Sequence, residues 1–112
     1  MNSSELYANI LTNLSSLRNF MVTQDWIDAV SAADPATQKK AFNASFAVGH
    51  AINTLSNQVL SEIADDMAAQ DTAISAATTS LQNSIDNFTK VNTVLTSLTK
   101  LLAVVGQIVS LA

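Results

Sequence analysis

The chain has 112 residues, enough for one domain with a single core. Its apolar fraction of 48% excludes a disordered chain, two Gly and one Pro are too few for a turn-rich all-β fold, and the lack of Cys excludes disulfide and thiolate chemistry. Charged residues make up only 12%, about half the usual ~25%, and the net charge of −4, with only Arg18, Lys39, Lys40, Lys90 and Lys100 positive, argues against nucleic acid and against a polybasic anchor on anionic lipid.

The first residues, MNSSELYANI, hold no basic stretch followed by an apolar one, so the expected location is the cytoplasm, or export without a cleaved signal peptide. Ser3 or Ser4 can cap a first helix, with Glu5 in its first turn favoured by the helix dipole. Tyr7, Ile10, Leu14, Leu17 and Met21 then recur at three- and four-residue steps, which predicts an amphipathic helix over about 3–22. Thr23 is the N-cap expected for a short segment over 24–33, with Asp25 in its first turn and Trp26, Ile27 and Val30 on its apolar side. That segment reads equally as a bent continuation of the first helix.

Asp34-Pro35 is the strongest punctuation in the chain. Asp at the N-cap and Pro at the first helical position start a helix, and the residue before Pro is pushed out of the α region. From there the stripe Ala41, Ser45, Val48, Ile52, Leu55, Val59, Ile63 and Met67 predicts a helix over about 35–68, widened at its start by Phe42 and Phe46. Gly49 sits inside it at a cost of about 1 kcal/mol relative to Ala, a position suited to close approach of a neighbouring helix. A turn is expected near residues 68–72, with Gln70 or Asp71 as the new cap. Without it, one helix of roughly 110 Å would run to the C-terminus, which demands an elongated oligomer.

The last 42 residues, Asp71 to Ala112, carry two parallel heptad seams. One is Ile74, Leu81, Phe88, Leu95, Leu102 and Val109, and the other Ala77, Ser84, Val91, Leu98, Val105 and Ala112. The spacing predicts one long helix over about 71–111 that meets other helices in coiled-coil fashion. The expected fold is therefore all-α, a single-domain antiparallel bundle of three to four helices. Its two C-terminal helices are long and its N-terminal helix is broken.

Chemistry-bearing groups are sparse. Glu62, Asp65, Asp66 and Asp71 form the one acidic cluster, but the Glu-x-x-His pair of helical di-iron sites is missing, so a solvated face is expected. His50 is the single histidine, and no serine sits in a nucleophile-elbow motif. Trp26, the single tryptophan, is expected to plug the core, the rival being an exposed anchor for lipid or a partner. Asn92 and Thr99 flank the C-terminal seam, where a buried polar residue can fix register. No catalytic, metal or cofactor site is expected.

The run Leu101 to Ala112, LLAVVGQIVSLA, is uncharged and apolar nearly all round. At about 18 Å it falls short of a ~30 Å bilayer core, and extending it backwards takes in Lys100, so it is not a stand-alone membrane span. If the last helix outruns its neighbours, Val104, Val105, Ile108, Val109 and Leu111 stay partly uncovered, as an interface would. The expected function is a non-catalytic interaction protein that self-associates or binds a helical partner. Its expected face is Leu95, Leu98, Leu102, Val105, Ile108, Val109 and Leu111. The alternative is a membrane-active protein, a small pore-forming or toxin-like component that uses residues 101–112 on lipid. A small-molecule carrier or helical-core enzyme ranks third.

Overall fold

The computed structural model describes residues 2–111. Six helices follow one another, α1 (Ser3–Phe20), α2 (Gln24–Ser31), α3 (Pro35–Ser56), α4 (Leu60–Ala69), α5 (Asp71–Asp86) and α6 (Val91–Gly106), with no strand among the described residues. The first three helices start on side-chain caps. Asn2, rather than Ser3 or Ser4, caps α1, its Oδ1 accepting from the Glu5 N–H at 2.8 Å. Thr23 caps α2 and Asp34 caps α3, with Pro35 at the first helical position. The Thr37 N–H donates to Asp34 Oδ1 at 2.7 Å. That bond, with a lesser pull from the Thr37 hydroxyl and from Lys40, holds the Asp34 carboxyl below the usual carboxylate range.

The two long helices expected over 35–68 and 71–111 are each broken in two. The first stops at Ser56, and α4 begins at Leu60. In an unbroken helix the Leu55 carbonyl would accept from the Val59 N–H. Here it accepts from the Gln58 N–H at 3.0 Å and from the Tyr7 hydroxyl of α1 at 2.7 Å. Ser56 and Asn57 are weak helix formers that compete for nearby backbone groups, so the break costs little. The second break, residues 87–90, holds Asn87, Phe88 and Thr89, none of which favours a helix. Phe88 turns inward there. Its ring meets Phe20 edge-on at 5.0 Å and Trp26 at 5.8 Å, while Phe20 and Trp26 lie 5.6 Å apart. Three rings from three separate elements thus tie the end of α1, the helix α2 and the α5–α6 connection together. Trp26 is buried in this cluster, as a core plug should be.

The expected turn near 68–72 falls at Gln70, which ends α4 and begins α5. The longest dimension of the molecule is 43 Å and its radius of gyration 14.0 Å, so the single long helix is ruled out. The fold is all-helical and bundle-like. α5 and α6 form the main pairing, with Ser80 and Ser97 hydroxyls 3.3 Å apart across it. α1 lies against α3, α4 and α5, while α2 packs on α3 and α6.

Burial follows the sequence stripes at most positions, but Val59, expected in the buried stripe, is exposed in the break between α3 and α4. Leu6, Ile10, Leu14 and Leu17 of α1 are fully covered, as are Val48 and Leu55 of α3, Met67 of α4, Ile74 and Leu81 of α5, and Leu101 and Val105 of α6. Both heptad seams face this core, but they reach it from two helices separated by residues 87–90 rather than from one. Ala112, the last member of the second seam, lies outside the described residues. One polar side chain interrupts the α1 stripe. Asn13 is buried, its Nδ2 donates to the Asn9 carbonyl at 2.9 Å, and its Oδ1 has no partner.

Candidate interaction surface

The seven residues expected to form an interface are mostly inside. Leu95, Leu98, Val105, Ile108 and Val109 are buried, and Leu102 and Leu111 are half-buried against the same core. The expected overhang is absent because α6 stops at Gly106, and the chain after it folds back onto the body. Val104 is also packed against the core. His50, on the outer side of α3, has its Nε2 3.1 Å from the Leu111 carbonyl, so the sole histidine ties down this last segment. No helix among the described residues is long and apolar enough to cross a membrane.

The acidic cluster disperses along the surface. Glu62, Asp65 and Asp66 are exposed on α4, while Asp71 opens α5 and accepts from the Ser75 hydroxyl at 3.2 Å. No group of three His, Asp or Glu side chains among the described residues comes close enough to hold a metal ion.

What remains open is the outer face of α3. Phe42 and Phe46 are each 65% exposed, one turn apart, with their rings 5.0 Å apart edge to face. They belong to a seam of their own, Lys39, Phe42, Phe46, Gly49, Asn53 and Ser56, at alternating three- and four-residue steps. The buried residues Ala41, Val48 and Leu55 sit on the opposite side of the helix. The helix is thus apolar on two faces over its first half, and only one face is covered. Gly49 departs from expectation as well. A Cβ built there would meet nothing within 4 Å, so no neighbouring helix of the same chain uses the gap.

A groove flanks this Phe ridge on each side. Between α2 and α3 a recess of about 420 Å³ is lined by Trp26, Ile27, Val30, Ala41, Phe42 and Ser45. Ile27 is itself exposed, as is Val22 in the preceding turn. Between α3 and α6 a second recess of about 440 Å³ is lined by Ala44, Ala47, Leu95, Leu98 and Leu102, with Asn92 and Thr99 at its polar edge. Three of the seven expected interface residues are therefore brought together here, as one wall of a groove beside the ridge. Thr99 donates to the Leu95 carbonyl of its own helix at 2.9 Å.

The ridge was legible as a second period. Phe42 and Phe46 fit the Lys39-to-Ser56 seam as well as they fit the flank of the buried stripe, and only the packing separates the two assignments. Comparison with known proteins finds no matching family model, no matching curated protein and no matching solved structure.

Proposed function

We propose that this chain is a non-catalytic helical interaction protein whose binding face is the outer side of α3, walled by α2 and α6. On this reading α5 and α6 form an antiparallel pair, and the bundle acts as a rigid mount for the ridge. The observation that carries it is the exposure of Phe42 and Phe46, the two aromatic members of a short set of exposed large apolar side chains that also holds Val22, Ile27 and Val59. Scattered exposed apolar residues are ordinary, whereas two aromatic rings in edge-to-face contact between apolar grooves form a continuous patch of the kind used for association. Aromatic side chains are also the usual anchors of such faces.

The face moves from the C-terminal segment to α3, with Leu95, Leu98 and Leu102 kept as its α6 wall. A membrane-active role for residues 101–112 would require withdrawing Leu101, Val105, Ile108 and Val109 from the core, which opposes it.

A labelled amphipathic peptide of roughly three heptads with a leucine seam is a suitable probe. Fluorescence anisotropy should detect saturable binding to the intact chain, weakened about tenfold or more in the Phe42→Ser/Phe46→Ser variant. Both positions are exposed, so the variant should keep its helical circular dichroism. Equal binding by the variant would sink the reading. Binding to phosphatidylcholine vesicles with none to the peptide would replace it with lipid association.

A further inference from the structure

We propose that the partner seated on the α3 ridge is a second copy of this chain, the two α3 helices pairing antiparallel across a two-fold axis near residues 47–48. This rests on the reading of the ridge as a binding face. Two features favour self-pairing, and a third sets its strength.

The first is shape. In the seam Lys39, Phe42, Phe46, Gly49, Asn53 and Ser56, an antiparallel register sets Phe46 against Gly49 of the second copy, Phe42 against Asn53 and Lys39 against Ser56. The space over Gly49 is empty within the chain, so a ring from the opposite copy has room to enter it twice, once on each side of the axis. A two-fold contact must be self-complementary in this way, the same patch supplying both knob and gap.

The second is charge. Lys39 and Lys40 stand near the N-terminal end of α3, unfavourable for its dipole, and no basic residue occupies its last turn. Antiparallel pairing carries each copy's lysines to the other's C-terminal turn, where the negative end of the helix dipole attracts cations. A parallel pair would set Lys39 beside Lys39.

The third is size, which fixes the strength. The seam spans about 27 Å on a helix about 10–12 Å wide. This is well below the ~800 Å² per partner of a tight complex, even with the groove walls added, so the pair belongs to the weak, reversible class.

Light scattering across concentrations from about 1 µM to about 1 mM, the span of weak to moderate affinities, should show the mass rising towards twice that of one chain. Phe42→Ser/Phe46→Ser should stay monomeric. Gly49→Leu makes the face more apolar, and nothing in its own chain lies within 4 Å of the added Cβ, so its fold should persist, as helical circular dichroism would read. It should nonetheless lose the dimer while keeping the leucine-seam peptide. In a chain without cysteine, Lys39→Cys mixed with Ser56→Cys should oxidise to a mixed disulfide dimer, whereas Asn53→Cys alone should not. A monomer at every concentration, a dimer indifferent to the Phe pair, or a Gly49→Leu dimer as strong as the original would each overturn the proposal. So would cross-linking by Asn53→Cys alone, the signature of a parallel pair. If peptide binding survives a monomeric result, self-pairing fails and the ridge reading stands, whereas loss of both removes the two together.

Discussion

Asn13 carries the one buried side-chain polar atom without a partner among the described residues. Its amide nitrogen has the Asn9 carbonyl, but its oxygen is buried without a donor. An acceptor stranded in this way costs about 1–3 kcal/mol, and Asn is a poorer helix former than Ala by a further fraction of a kcal/mol. Against these stands the small void that truncation leaves, about 1 kcal/mol for a site of this size. Asn13→Ala should therefore raise the unfolding free energy by about 1 kcal/mol. Urea denaturation followed through Trp26 emission reads it, and a fall in midpoint would show that the void outweighs the lost acceptor.

Among the elements, the helices that start on side-chain caps are the ones the sequence reveals. Thr23 and Asp34-Pro35 mark α2 and α3, and Asn2 stands one residue from the expected caps. No side chain caps α4, α5 or α6, and two of the three breaks before them were invisible from the chain alone. Their causes are distant in sequence. Tyr7 occupies the Leu55 carbonyl from 48 residues away, and Phe88 is drawn to Trp26 and Phe20. A heptad seam survives such a break because both halves still need the same core, so unbroken periodicity does not guarantee an unbroken helix. The Phe ridge escaped for the opposite reason, since its residues fit a buried stripe and an exposed one equally well. Tyr7→Phe keeps the ring and removes the hydroxyl. It should lower stability by about 0.5–1.5 kcal/mol, with amide exchange quickening first at Val59 to Glu62. Unchanged exchange there would show that Ser56 and Asn57 end α3 unaided.

At the scale of the whole molecule, the last segment is structural before it is anything else. Removing residues 101–112 takes away Leu101, Val105, Ile108 and Val109, all buried. At about 1.5–3 kcal/mol per large side chain, the loss rivals the ~5–15 kcal/mol that holds a typical domain together. The chain cut after Lys100 should therefore lose cooperative thermal unfolding by circular dichroism. A truncated chain that melts cooperatively would show that the first 100 residues hold the fold without it. The position of α1 bears on the making of the protein as well. Its stripe, Leu6 to Leu17, is completed by α3, α4 and α5, the last of which ends at Asp86. A ribosome adding about 5–20 residues per second needs several seconds to supply that cover. Throughout that interval a newborn α1 displays four leucine and isoleucine side chains to whatever holdase or nascent neighbour stands at the exit tunnel.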